Sequence, residues 1–224
     1  MPALPGDRGV IVSTPETAVD HLLLGASDLD QGVGWVESLT GVRAMPGGSH
    51  PGVGTRNALL ALGRQRYLEI IAPDPVQTTY AFPVDVRRLD APRLVSWAVV
   101  TRNLNELLTL ARAAGCTAAV PQPGSRLRPD GKLLKWNLVR LQNSFDCNGI
   151  QPFPFFIQWA EDSVHPSTDS PTGCELVSLK LEHPDAANLA AALHQFRIGA
   201  DIKQATRAAL IATLRTPKGE VELR

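Results

Sequence analysis

The sequence has no excess of either charge: in 224 residues, lysine plus arginine and aspartate plus glutamate number 22 each. That balance argues against the broad basic footprint of a nucleic-acid binder and against an acidic, solvated tail, and it favours a small, roughly neutral ligand or a local site. No run approaches the roughly 18 apolar residues of a membrane span. The opening MPALPGDRGV lacks the basic-then-apolar order of a secretory signal, so cytoplasm is the expected compartment. Cysteine is scarce. Cys116, Cys147 and Cys174 are an odd set without CxxC spacing, which argues against a disulfide framework and a cysteine zinc site and leaves small buried thiols. Nucleophile motifs are missing too: Ser96 has no GxSxG setting, and no cysteine has a histidine close by in sequence.

The length allows one large or two small domains with a core that needs no disulfide or structural metal. Residues 1–19, rich in Pro, Gly and Thr, read as a partly disordered leader. A first unit spans 20–73. Its apolar strand begins at His21 and stops at Ser27-Asp28, where Asp28 or Asp30 can cap a helix, and Val33, Val36 and Leu39 recur at helical spacing before Gly41. Glycine pairs in VRAMPGGSHPGVGTRNALLALG mark a hairpin, and YLEIIA supplies another strand. The order is strand, helix, strand, strand, strand.

A linker over 74–93 leads to a second unit over 94–163. An offset of 75 residues lays VSWAVVTRNLNEL on DHLLLGASDLDQG without a gap, so that His21 falls on Ser96 and Leu29 on Leu104. Strands follow at CTAAV and LLKWNLVRLQ, and FPFFIQWA takes the place of YLEIIA. The pattern recurs in shortened form over 174–224, from CELVSLKLEHPD through DAANLAAALHQF to IKQAT, AALIATL and EVELR. Self-similarity of this kind constrains architecture more firmly than propensity does.

Tandem βαβββ units with DH on the first strand and an acid on the last resemble the vicinal oxygen chelate superfamily, the glyoxalase and extradiol dioxygenase group. GGSHPGVGTRNALLALG with YLEIIAPDP, and FFIQWAEDSVHPS later, are similar to its bacterial glyoxalase-like domain proteins. The resemblance covers about residues 18–224 and implies an α+β fold in which two units pair into a curved-sheet cup, with a third, shortened unit at the C-terminus. It further implies one divalent metal (zinc, nickel, manganese or magnesium), held from the first and last strands of each unit. Carried over, those positions are His21, Glu69, Ser96 and Gln158. Imidazole and carboxylate are strong ligands; a neutral amide is weaker and a serine hydroxyl weaker still, so neutralisation would rest on Glu69 alone.

Each candidate has a plain structural alternative. His21 is either a site residue or a strand-end histidine bonded to backbone. Glu69, among Tyr67, Leu68, Ile70 and Ile71, either faces solvent at an edge or sits in a polar pocket, since an unpaired buried charge is too unfavourable to keep. Without a metal it is expected to pair with His21 or to hold a proton near neutrality. GGSHPGVGT is either a tight hairpin or a backbone that approaches a ligand; it is no phosphate loop, for it lacks the lysine. His50, Thr55 and Asn57 lie at or beyond its tip as donors toward the cup mouth, and His165 follows FFIQWA toward the same cup, whereas His183 and His194 read as surface or helix-face residues. Trp97, Trp136, Trp159 and Phe155 fit either a core or an aromatic cup wall.

Two functions follow. In one, a metal on His21, Glu69 and Gln158, helped by His50 or His165, chelates vicinal oxygens for a lyase or isomerase, with Glu69, His50 or His165 moving the proton and Thr55, Asn57, Ser96, Trp97 and Trp159 contacting the ligand. In the other, the cup has no metal and only binds or sequesters its small molecule. Neither involves nucleic acid or a membrane. The third unit, which by itself leaves a face uncovered, is expected to pack on the first pair or against its copy in a homodimer.

Overall fold

The apolar run around His21 forms β1 (Val19–Gly25), buried along its whole length. The Asp28 side chain then accepts from the Gln31 amide at 2.9 Å and starts α1 (Leu29–Thr40). Gly41, at φ 78°, ends it in the left-handed region, where its N–H bonds Glu37 O. Leu29, Val33 and Val36 form the buried stripe. The computed structural model describes residues 19–117, 120–128 and 131–224. Residues 1–18 of the expected leader lie outside these, and Val19 already belongs to β1.

Three stretches follow the order βαβββ. The first continues with β2 (Met45–His50), β3 (Thr55–Ala61) and β4 (Tyr67–Pro73). The second is β5 (Arg93–Val100), α2 (Leu104–Ala113), β6 (Gln122–Leu127), β7 (Leu133–Val139) and β8 (Phe155–Trp159). The third is β9 (Glu175–His183), α3 (Ala186–Gln195), β10 (Asp201–Gln204), β11 (Ala209–Thr216) and β12 (Gly219–Leu223). β6 comes from QPGSRL, which carries no strand signal, and two residues of CTAAV, 118 and 119, lie outside the described residues.

The first two units share one eight-stranded sheet in the order β2-β3-β4-β1-β5-β8-β7-β6. In each, the first strand pairs in parallel with the last, and β1 and β5 join antiparallel at the centre. The central register bears out the 75-residue offset: His21 opposes Ala98 and Leu23 opposes Ser96, two pairs that a two-fold operation interchanges. The outer strands curl toward one another. Arg126 on β6 donates to the Gly47 carbonyl on β2 across the gap. A Cβ on Gly47 would lie 2.2 Å from Asn57 Oδ1, so only glycine permits this approach. The result is a nearly closed curved sheet.

The convex face carries the helices. Leu22, Leu24, Val36 and Leu107 belong to one continuous core with Leu181, Leu189, Leu193 and Leu210 of the third unit. That unit therefore packs on the first pair. It keeps the order of elements but not the strand order: β9 lies between β10 and β11, in the order β10-β9-β11-β12. β1 and β5 each use one edge for the other unit. β9 has no such counterpart and fills both edges within its own unit, which removes the exposed inner edge a lone copy would otherwise have.

Trp97 belongs to the convex core. It is fully buried and donates from Nε1 to Pro152 O at 2.8 Å. Trp97→Phe removes that donor and leaves a buried carbonyl without a partner, so we expect a loss of about 1–3 kcal/mol in urea unfolding. Ligand affinity measured by calorimetry should be unchanged.

Candidate functional site

Strand alternation sends His21 and Leu23 of β1, and Tyr67, Glu69 and Ile71 of β4, onto the concave face. They border a cavity of about 590 Å³. Its opposite wall is Trp136 and Leu138 of β7 with Phe155, Ile157 and Trp159 of β8. Ala81, Phe82 and Pro83 cover one side, so the 74–93 segment is part of the wall as well as a connector. The acid and the imidazoles of the cavity come from the first unit, and the aromatic wall, together with Arg126 and Arg140, from the second.

Glu69 is the centre of the polar side, with 7% of its surface exposed. Asn57 Nδ2 donates to Glu69 Oε1 at 2.7 Å. His21 Nε2 lies 3.5 Å from Oε2, and His50 Nε2 lies 3.6 Å from Oε1. Of the two metal-free expectations for Glu69, the structure displays the pairing with His21.

Each imidazole is held from behind. The pairing of β1 with β5 slips between Val19 and His21, and in this irregularity Asp20 Oδ1 reaches its own neighbour, 2.6 Å from His21 Nδ1. Asp20 Oδ2 accepts from Trp159 Nε1 at 2.9 Å and lies 3.3 Å from His165 Nε2. Burial pushes the Asp20 carboxyl upward, but the hydrogen bonds from His165 and His21 and the charges of both rings outweigh it and hold Asp20 well below the usual carboxylate range. An acceptor at Nδ1 leaves His21 Nε2 free to face Glu69. For His50, Nδ1 lies 2.9 Å from Thr55 Oγ1 and Nε2 lies 3.3 Å from the Asn57 amide. Burial is the main influence lowering the His50 pKa, helped by the charges of Arg126 and His21 and opposed by Glu69 and Asp74. A neutral ring that donates from Nδ1 to Thr55 satisfies this network.

Of the residues singled out in the sequence, His21, His50, Asn57, Glu69, Trp136, Phe155 and Trp159 meet at the cavity. Thr55 is fully buried behind His50. His165 stands behind the wall, edge-on to Tyr67 and Trp159 at 5.6 and 5.5 Å. Ser96 is fully buried, does not border the cavity and has a hydroxyl without a partner. Trp97 is in the convex core. Gln158 is on the far face of β8 and donates to Arg102 O at 2.9 Å. The strand register explains this placement. Leu23 opposes Glu69, and Ala98, the two-fold counterpart of Leu23, opposes Phe155. The counterpart of Glu69 is thus Phe155, an apolar ring at the cavity wall. His183 is buried rather than superficial: Nε2 meets Phe145 O at 3.1 Å and Nδ1 accepts from the Asp185 amide at 2.9 Å.

Three positions at or behind the cavity escaped the sequence. Asp20 had a signal, its adjacency to His21, but regular alternation would put it on the opposite face. Arg126 and Arg140, both at the cavity, had none.

Residues 19–196 match the family described as a glyoxalase-like domain. A hypothetical protein from Staphylococcus aureus is similar in structure, with a TM-score of 0.65 and 16% identity over 91% of this chain and 83% of that chain. Methylmalonyl-CoA epimerase from Mycobacterium tuberculosis aligns with a TM-score of 0.43 and 18% identity over 68% of this chain and 93% of that chain. No curated protein matches. No described helix is long and apolar enough to cross a membrane.

Proposed function

Because the chain belongs to the glyoxalase-like domain family of the vicinal oxygen chelate superfamily, we propose that its cup binds a small organic molecule and moves a proton on it, with Glu69 as the base. The observation that carries this reading is a carboxylate inside the cavity flanked by two imidazoles at 3.5 and 3.6 Å and fixed by an amide at 2.7 Å. Asn57 occupies Oε1 and leaves Oε2 as the basic atom. His21, beside Oε2 and held by Asp20, is placed to pass the proton on. A base and a second proton carrier side by side suit an isomerase or lyase that takes a proton from carbon next to a carbonyl and returns it elsewhere.

The residues do not fit the divalent metal that the superfamily resemblance implies. Two of its four positions hold strong donors, His21 and Glu69; Ser96 does not border the cavity, and Phe155 stands in the fourth position. Among the described residues no three His, Cys, Asp or Glu side chains form a group that could hold an ion. Elemental analysis of protein purified without chelator should give well under one equivalent of zinc, nickel, manganese or magnesium. A full equivalent, lost in both His21→Ala and Glu69→Ala, would overturn this part of the reading.

Binding without turnover is a second reading, favoured by the apolar wall of Trp136, Phe155 and Trp159. Proton NMR in deuterated buffer separates the two. With mandelate and 2-hydroxyacetophenone as probes, the first reading expects solvent deuterium at the carbon beside the carbonyl. Saturable binding of both probes with no exchange would leave only the second.

A further inference from the structure

Arg126 and Arg140 both border the cavity, yet neither has an ion-pair partner among the described residues. Arg126 is 5% exposed, and its Nη1 is used on the Gly47 carbonyl. The Arg140 guanidinium lies over the Phe155 ring at 4.4 Å from its centre, with Nη1 3.2 Å from Gln151 Oε1. Both arginines are therefore held in place by neutral groups. Burial lowers the pKa of each, and at about 10 Arg140 remains charged at neutral pH. Among the described residues Glu69 is the one acid that borders the cavity, and it and Asp146 act on Arg140 from beyond ion-pair distance. Arg140 thus holds its charge at the cavity wall with no acid within ion-pair distance among the described residues. A buried charge of this kind is unfavourable without a counter-ion.

We propose that Arg140 forms an anion subsite of the cup, which takes the carboxylate of a small aromatic acid. One guanidinium matches a monoanion better than a phosphate dianion. The planar guanidinium fork suits a carboxylate. The aromatic body of the acid finds its place beside Phe155, Trp136 and Trp159, which continue the wall from Arg140. The subsite rests on the cup being the ligand site, and it does not depend on proton transfer.

Calorimetric titration at low ionic strength tests it with 2-naphthoate, 2-naphthamide and 2-naphthyl phosphate. The acid should bind roughly tenfold or more tightly than the amide, as charge-assisted hydrogen bonds imply. Arg140→Gln should abolish most of that preference and leave amide affinity nearly unchanged. Arg140→Lys, which keeps the charge and loses the fork, should fall between. Because Arg126 also closes the gap between β2 and β6, Arg140 is the deciding position, with circular dichroism and a melting curve to show that each variant is folded. Glu69→Gln removes the competing acid and should tighten naphthoate binding while it stops proton exchange. Preference for the acid without exchange in the wild type would thus sink proton transfer and leave the subsite standing. Equal affinity for acid and amide, no binding of either at millimolar concentration, an unchanged preference in Arg140→Gln, or tighter binding of the phosphate would each overturn the subsite.

Discussion

Glu69→Gln is expected to slow proton exchange in the cup by about 10²–10⁴-fold, the range of a general base lost from a positioned site. The substitution keeps shape and volume. Its amide oxygen can still accept from Asn57 Nδ2, which bonds Oε1 at 2.7 Å in the parent. Folding should therefore be nearly intact, and the melting temperature serves as the control. Glu69→Asp keeps the acid but draws it back from the cavity by one methylene. A displacement near 1 Å can reduce rate about a hundredfold, so the aspartate variant should recover only part of the loss. His50→Gln should have the smaller effect on rate, since that ring is held neutral between Thr55 and Asn57 and lies on the side of Oε1. Exchange in Glu69→Gln within tenfold of the parent would assign the base elsewhere. The effect should appear in kcat, with KM for an acidic probe unchanged or lower, because the glutamate and the bound anion repel.

The strand-helix order, the caps at Asp28 and Gly41, and the two-fold relation of the first two units were all legible, because each depends on local pattern or repeat. The 75-residue offset even anticipates the central register. What failed was the count through the second unit, whose connections before β8 are longer than those before β4. Gln158 lies three residues from Phe155, and an odd error in a strand reverses the face, so a polar residue was assigned to a position that holds a ring. The third unit shows the converse limit. Its elements could be ordered from sequence, but the neighbour of β9 depends on whether another unit is available to pair, and pattern along the chain does not contain that information. Arg126 and Arg140 were hidden for a different reason. Both lie in polar, basic stretches, SRLRPDGK and NLVRLQN, where a cation ordinarily faces water, and only the curvature of the sheet turns them inward.

Asp20→Ala should be the most destabilising change around the site. The carboxylate meets His21 Nδ1, Trp159 Nε1 and His165 Nε2 at 2.6, 2.9 and 3.3 Å while only 1% exposed. Burial by itself disfavours the charge, yet the balance at Asp20 is toward ionisation, so its partners contribute more than its desolvation removes. Alanine leaves those partners in an apolar setting. By analogy with broken buried pairs the loss is about 3–5 kcal/mol, a large share of the roughly 5–15 kcal/mol that holds a domain together. Asp20→Asn keeps the shape and one acceptor and should lose less. The sign of the pH dependence separates this residue from His50. Asp20 has a folded pKa below its unfolded value of about 3.9, so its contribution is complete above about pH 4 and disappears as pH falls through the folded value. His50 is also depressed, below about 6.5. The unfolded chain binds the proton first in that window, so the stability His50 gives is complete above about pH 6.5 and declines below it. Urea midpoints between pH 3 and pH 8 should therefore fall in two stages on acidification. His50→Gln should flatten the upper stage, and Asp20→Asn the larger part of the lower one. A lower stage unchanged in Asp20→Asn would place the acid sensitivity in other carboxylates and remove Asp20 as the group that fastens His21 and His165 together behind the cup.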